Sequence, residues 1–129
     1  MVAVNIFETS AEFIVLGWVF VGLLVLLLVA SVLAREGRVP LNPWFGIRTP
    51  SLMRSSEAWR NGHAAAVFPS ALACGVALMC STVGLFAPVA YLGTIVTFVG
   101  GVVWVMIRAS RAAKATVRGS KKSSGIEYK

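Results

Sequence analysis

The sequence predicts an all-α membrane protein with three transmembrane helices, the N-terminus outside, the C-terminus cytoplasmic, and an ordered cytoplasmic loop between helices 1 and 2. Hydrophobic residues make up 57% of the 129 residues and charged residues only 13%, which is too little charge to cover a soluble domain. The chain also contains two long uncharged runs, and all twelve Lys and Arg lie outside them. This composition excludes a soluble enzyme, a disordered chain and a disulfide-rich secreted domain.

The first uncharged run, residues 13–34, predicts transmembrane helix 1. A bilayer core about 30 Å thick needs about 20 apolar residues in a helix, and this run is long enough to cross it. Residues 1–12 precede it as an extracytoplasmic segment that contains Glu8 and Glu12 but no Lys or Arg. A signal peptide begins with positive charge, so we interpret the run as a span and not as a signal peptide.

The second uncharged run, residues 64–107, is too long for one span and breaks near its middle. Pro88 lacks the N–H of a helical hydrogen bond and disfavours helical backbone in the residue before it. We therefore predict helix 2 over residues 64–86, a short outer turn at 87–88 and helix 3 over residues 89–107. Only helices and closed barrels satisfy the backbone in lipid, and this run lacks the alternation of a barrel strand.

The positions of the basic residues predict the orientation. The N-terminal segment and the outer turn contain no Lys or Arg, whereas the loop at 35–63 and the tail at 108–129 contain all twelve. Segments that flank spans and are rich in Lys and Arg remain in the cytoplasm. We therefore expect the loop and the tail on the cytoplasmic side.

The predicted spans contain no Asp, Glu, Lys, Arg or His. Such groups mark proton relays and ion pathways, so their absence argues against a pump or a proton-coupled transporter built from one copy. The loop offers no nucleophile with an adjacent base, and the chain shows no metal-ligand spacing. We predict no catalytic residue, no metal and no cofactor.

Two of the helices carry small residues at a spacing of four, which lets helix backbones approach closely. These residues are Ala73, Ala77 and Ser81 in helix 2, and Gly93, Thr97 and Gly101 in helix 3. One interpretation is that helices 2 and 3 pack on each other through these faces. The other is that the faces contact a second copy of the chain or another membrane subunit.

The loop is richer in conformationally special residues than a simple connector. Its three prolines predict extended or turned backbone over residues 40–50. Thr49 is placed to cap a short helix that has Pro50 at its first position, where a missing N–H costs nothing. A second helix is expected to start near Ser55 or Ser56 and to run into the second span.

The charged residues of the loop suggest a structural ion pair. Glu57 is three residues before Arg60 and is also close in sequence to Arg48 and Arg54, so we expect it to hold one of these arginines. His63 has no Cys or Asp nearby, and we expect it to be a hydrogen-bonded structural residue.

The apolar residues of the loop suggest contact with the membrane boundary. We expect them to reach the headgroup region: Trp44, Phe45, Ile47, Leu52, Met53 and Trp59. Two interpretations remain open, because such a loop either anchors under the helices or presents a recognition surface for a ligand or partner.

A continuous motif in this loop resembles the signature of the SdpI family of bacterial membrane proteins. The motif reads Asn42-Pro43-Trp44-Phe45-Gly46-Ile47-Arg48-Thr49-Pro50, followed by Ser55, Glu57, Trp59 and His63. The chain departs from the family pattern at Leu52-Met53, where Thr-Leu is usual, and at Ala64, where Arg is common. It also has fewer predicted spans than the longer members.

The resemblance implies a location and a class of function. The named member of the family is a multi-pass protein of the bacterial cytoplasmic membrane that gives immunity to a secreted toxic peptide and holds a soluble regulator at the membrane. The resemblance implies that a ligand or partner is bound by Asn42, Trp44, Gly46, Arg48, Thr49, Pro50, Glu57, Trp59 and His63. The alternative is a non-catalytic accessory subunit of a larger membrane assembly.

The tail is strongly basic. Six of its residues are predicted to contact anionic lipid headgroups: Arg108, Arg111, Lys114, Arg118, Lys121 and Lys122. We expect span three to continue as a helix through Arg118 and a flexible segment to follow at 120–125. Docking of an acidic protein is the alternative, and no direct contact with nucleic acid is expected because no recognition pattern accompanies the charge.

Overall fold

A computed structural model describes residues 11–126 as three long helices. They are α1 (Ala11–Arg35), α2 (Ser56–Gly84) and α3 (Ala90–Ile126), and a single 3-10 turn (Leu52–Arg54) lies in the connection between α1 and α2. Each helix is long and apolar enough to cross a membrane, so the prediction of an all-helical chain with three potential spans is confirmed. Most of the predicted N-terminal segment, and the end of the tail at 127–129, lie outside the described residues.

The helices α2 and α3 form a hairpin in which the two small-residue faces meet. A Cβ added to Gly101 would lie 2.6 Å from the Cβ of Ala73, and one added to Gly93 would lie 3.0 Å from the sulfur of Cys80. Ala77 is fully buried. Because the backbones approach so closely, these faces are used for packing within the chain.

The end of the bundle next to the turn at 85–89 is held by one tyrosine and one hydrogen bond. The ring of Tyr91 lies against the backbones of Gly17 in α1 and Gly84 in α2, at 2.6 and 2.7 Å from where a Cβ would stand. The hydroxyls of Ser81 and Thr94 form a buried hydrogen bond of 3.0 Å between α2 and α3. All three helices are thus joined next to the turn at 85–89.

The first helix packs mainly on α2. Val21 and Leu24 of α1 form a buried cluster with the alanines of α2, and Phe20 stacks on Phe98 of α3 with ring centroids 4.4 Å apart. Large apolar side chains on all three helices point away from the bundle; Val96, for example, is 72% exposed. That distribution suits contact with lipid chains.

The third helix continues past the predicted span, and its expected continuation as a helix through Arg118 is confirmed. It runs to Ile126, so the prediction of a flexible segment at 120–125 was wrong. Ala109 and Ala113 are fully buried, and Asn61 of α2 donates a hydrogen bond of 3.0 Å to Thr116. These contacts hold the helix past the end of the predicted span, and each further turn then costs little because helix propagation is easier than nucleation.

Candidate functional site

Asn42 builds the first turn of the loop between α1 and α2. Its side-chain oxygen accepts hydrogen bonds from the backbone N–H groups of Trp44 at 3.0 Å and Phe45 at 2.7 Å. Its amide group donates to the carbonyl of Pro40 at 2.8 Å. One side chain thereby satisfies three backbone groups of a segment rich in proline, as Asx turns do.

Arg48 stabilises the same turn through a hydrogen bond to its backbone. One of its guanidinium nitrogens donates a hydrogen bond to the carbonyl of Pro43, while the side chain remains exposed. The other donors of the guanidinium have no bond to the described protein atoms and face the surroundings.

Gly46 is a point of close contact between the loop and α2. Its φ is +94°, and an added Cβ would lie 2.8 Å from Nε2 of His63 and 3.1 Å from Cη2 of Trp59. A side chain here would be strained by the backbone conformation and would also collide with two rings. Glycine is therefore required at this position for the loop to dock.

His63 and Trp59 form the buried receptor for the loop on α2. Nε2 of His63 accepts the N–H of Ile47 at 3.0 Å, and Nδ1 lies 2.8 Å from the carbonyl of Trp59. Because the amide can only donate and the carbonyl can only accept, the imidazole is neutral with its proton on Nδ1. The indole N–H of Trp59 donates to the carbonyl of Val39 at 3.1 Å, which fixes the start of the loop as well.

The second half of the loop is inserted between α2 and α3. Leu52 is fully buried, and a Cβ on Gly62 would lie 2.6 Å from its Cγ and 3.2 Å from the carbonyl oxygen of Ala109. Gly62 therefore leaves the space that Leu52 fills. This contact joins the 3-10 turn to both helices of the hairpin.

Thr49 acts differently from its predicted role as a helix cap. The short helix is a 3-10 turn in which the carbonyl of Thr49, and not its hydroxyl, accepts the N–H groups of Leu52 and Met53, each at 3.1 Å. The hydroxyl of Thr49 instead lies 3.3 Å from that of Ser110 on α3. The predicted start of α2 is correct: Ser55 caps it by accepting the N–H of Ala58 at 3.0 Å.

The side chains that the loop exposes differ from those predicted to meet the headgroups. Ile47, Leu52 and Trp59 are buried, so the prediction of an interfacial position was wrong for these three. Trp44 is 88% exposed and Phe45 is 42% exposed. They directly precede Gly46, which touches His63, and His63 is one residue before the predicted start of the second span.

Glu57 is exposed in the first turn of α2 and does not hold an arginine. Among residues 11–126 the ion pair found is Arg38 with Glu36, at 3.2 Å on the surface, so the predicted pairing of Glu57 with Arg48, Arg54 or Arg60 was wrong. A carboxylate in the first turn is stabilised by the helix dipole without any cation. Exposed ion pairs also contribute little, so no strong force draws these side chains together.

Sequence reasoning missed the contacts that continue the helix hairpin from the ends of the predicted spans towards the loop and the tail. They are made by Ala58, Asn61, Gly62, Ala66, Ala109, Ser110, Ala113 and Thr116. A signal was present, because small residues recur at a spacing of four in α2 at 58, 62 and 66 and in α3 at 101, 105, 109 and 113, with Val105 as the one larger member. The same periodicity that identified close packing inside the membrane extends past its edge.

The arrangement suits display of a surface. Both ring nitrogens of His63 are engaged by backbone groups, so the ring offers no free base. Residues 11–126 contain no group of three or more His, Cys, Asp or Glu side chains that is placed to hold a metal ion. What the loop presents is an exposed tryptophan, a phenylalanine and an arginine on a backbone that is bonded at both ends.

Comparison with known proteins finds one similarity. A family model described as the SdpI/YfhL protein family matches residues 38–109, which is more than half of the chain. The matched region includes the loop motif, all of α2 and the span of α3. No curated protein and no solved structure matches the chain.

Proposed function

The chain belongs to the SdpI/YfhL protein family, and from that premise we propose that it gives immunity to, or signals the presence of, a membrane-active peptide. It acts as a non-catalytic, multi-pass protein of the bacterial cytoplasmic membrane. The three apolar helices and the family membership support the membrane location. The peptide or a soluble cytoplasmic regulator is bound at the loop.

One observation carries this proposal: the loop is docked rigidly and yet exposes Trp44, which is 88% accessible. An exposed tryptophan beside a phenylalanine is an unusual surface unless a membrane or a partner covers it. Since Asn42, Gly46 and His63 hold the backbone in place, little conformational entropy is lost when a partner binds.

The residues of the motif divide into two roles. Trp44, Arg48 and Glu57 are exposed and provide contacts with the peptide or the regulator. Trp59 and His63 are buried and position those contacts. Three further residues shape the loop backbone and act in the same way: Asn42, Gly46 and Thr49. Pro50 is exposed at the turn that precedes the 3-10 segment.

The basic tail supports an orientation with the loop in the cytoplasm. Its cationic residues are exposed and recur at spacings of three and four, so they share the face of α3 opposite Ala109 and Ala113. An upright helix rises about 1.5 Å per residue, which puts Lys121 about 20 Å beyond the end of the span. We propose that Arg108 and Arg111 contact anionic headgroups and that the distal lysines face the cytoplasm.

The test is capture of partners from native membranes. A tagged chain is solubilised in mild detergent beside its Arg48→Ala variant, and co-purifying molecules are identified by mass spectrometry. Arg54→Ala is the matched control, because Arg54 is also an exposed arginine of the loop region but makes no hydrogen bond to the loop turn. A peptide or soluble regulator that is lost with Arg48→Ala and kept with Arg54→Ala supports the proposal. Identical capture by all three proteins contradicts it.

An accessory subunit of a larger membrane assembly is the second candidate. It is favoured by an open groove between α2 and α3, about 240 Å³ in volume, which Thr97, Gly100 and Trp104 line. Gly100→Leu tests it, since nothing lies within 4 Å of an added Cβ there. Substitution of Gly93 or Gly101 would instead disturb the chain's own hairpin. Release of a stoichiometric set of membrane proteins by Gly100→Leu would favour this candidate.

A further inference from the structure

A cleft that contains three charged residues opens between the end of α1 and the start of α2, at the same end of the bundle as the loop. Its volume is about 520 Å³, and it is lined by Arg35, Ser56, Glu57, Arg60, Asn61 and Ala64. Arg35 follows the last residue of the first predicted span, and Ala64 is the first residue of the second. The cleft therefore lies where the headgroups of the adjacent leaflet are.

Two arginines from different helices line this cleft. Arg35 ends α1, and Arg60 lies one turn inside α2. The guanidinium of Arg60 is beside the turn that follows α1, because its Cζ and Nε lie 3.8 Å from a Cβ built on Gly37. Among residues 11–126 neither arginine has a carboxylate partner, since the ion pair found there joins Arg38 to Glu36.

The walls of the cleft are held at a set separation. The indole of Trp59 in α2 bonds to the carbonyl of Val39, a few residues beyond the end of α1, at 3.1 Å. Ala34 and Ala58 are both buried in the same apolar cluster, which ties α1 to the first turn of α2. The cationic groups are thus supplied by two elements that cannot drift apart easily.

The cleft also contains one carboxylate. Glu57 lines it and has no ionic partner among residues 11–126. Two cations and one anion complement a ligand that carries a phosphate and a cationic group of its own. Arginine binds phosphate oxygens through paired N–H donors, and a carboxylate accepts hydrogen bonds from a primary ammonium.

We propose that this cleft binds the headgroup of phosphatidylethanolamine, a lipid with a phosphodiester and a primary ammonium. The phosphodiester lies between Arg35 and Arg60, the ammonium donates to Glu57, and the acyl chains pass Ala64 into the bilayer. A purely anionic headgroup is disfavoured by the carboxylate, and a choline headgroup has no N–H to donate to it. The lipid site shares Glu57 with the peptide response proposed above, whereas Arg35 and Arg60 are used by the lipid alone.

The experiment is native mass spectrometry of the purified chain in detergent micelles. The micelles contain phosphatidylethanolamine, phosphatidylglycerol or phosphatidylcholine with identical acyl chains, and the concentration for half-occupancy is measured for each lipid. We expect phosphatidylethanolamine to bind at the lowest concentration. Arg60→Ala should raise its half-occupancy concentration about tenfold, which corresponds to about 1.4 kcal/mol. Glu57→Gln should keep the binding of phosphate lipids but abolish the preference for the ethanolamine headgroup.

Two kinds of control are needed. One distinguishes binding at this cleft from general attraction to exposed cationic residues, and the other distinguishes binding of the lipid from binding of its free headgroup. Arg38→Ala removes an exposed arginine that does not line the cleft and should change nothing. Arg35→Ala should match Arg60→Ala, with circular dichroism reporting the fold of both. Equal retention of the three lipids by the wild-type chain, or an unchanged preference in Glu57→Gln, overturns the proposal. Displacement of the lipid by an equal concentration of O-phosphoethanolamine overturns the lipid as the ligand.

Discussion

Replacing Gly46 with alanine should release the loop from α2 while leaving the three helices inserted. The added Cβ meets Nε2 of His63 at 2.8 Å and the ring of Trp59 at 3.1 Å, and both rings are buried and hydrogen-bonded. Neither ring can retreat without breaking a hydrogen bond to the loop. The strain is therefore relieved most easily by undocking the loop itself.

Three contributions set how much free energy the docked loop loses in Gly46→Ala. A left-handed backbone costs a residue other than glycine about 1–3 kcal/mol. Overpacking a closed site costs about 1–3 kcal/mol. An alanine has less backbone entropy than a glycine in the undocked loop, and this difference offsets about 0.4–1 kcal/mol of that cost. The net cost is about 3 kcal/mol, and since 1.4 kcal/mol is tenfold, the undocked fraction should rise about a hundredfold.

Hydrogen exchange at the amide of Ile47 and trypsin cleavage after Arg48 measure this undocking in detergent. Both rates follow the open population when opening is fast. Gly37→Ala is the matched control: its φ of +78° carries the backbone cost, but the nearest atoms are 3.8 Å away, so only about a tenfold rise is expected. Equal acceleration in the two variants would refute the steric argument. Unchanged rates in Gly46→Ala would refute the docking of the loop altogether.

Three further experiments test the helix contacts and the contact between the loop and α2. His63→Phe leaves the N–H of Ile47 buried without an acceptor, so thermal unfolding followed by fluorescence should show a loss of about 1–3 kcal/mol, and an unchanged midpoint would contradict the hydrogen bond. Ser81→Ala and Thr94→Val in a double-mutant cycle should give a coupling of about 0.6 kcal/mol by unfolding in SDS; zero coupling would mean that the hydroxyls do not pair. Gly101→Leu should lower the free energy of unfolding by about 1–3 kcal/mol, because its Cβ would overlap the Cβ of Ala73 in α2. An unchanged free energy of unfolding would mean that the two helices are farther apart.

The sequence determined the three spans because lipid leaves the backbone few alternatives. An uncharged run of sufficient length must be helical in a bilayer, so residues 13–34 predicted α1 to within two residues at each end. Pro88 placed the hairpin turn correctly to within a few residues, since it cannot continue the preceding helix. The motif also identified Gly46 and His63 as special positions before any contact was known.

The tertiary structure alone decided which residues of the loop are buried. Trp44 and Trp59 are both aromatic residues that the sequence predicted at the membrane boundary, and nothing in their local sequence separates the one that is 88% exposed from the one that is 1% exposed. The difference arises because Gly46 and Gly62 leave room for the loop to press against α2. This space depends on atoms that are far apart in the sequence, so local sequence patterns do not predict it.

The C-terminal end of α3 was also decided by tertiary contacts and not by the local sequence. The composition after Arg118, rich in serine and lysine, is typical of a flexible tail, and yet the helix continues to Ile126. Its preceding turns are anchored by Thr116 and Ala113 against α2 and the loop, so the helix is already formed when it reaches the weak segment. The uncharged runs of the sequence thus predicted where the chain must be helical in lipid. The tertiary contacts determined how far α3 continues beyond its predicted span.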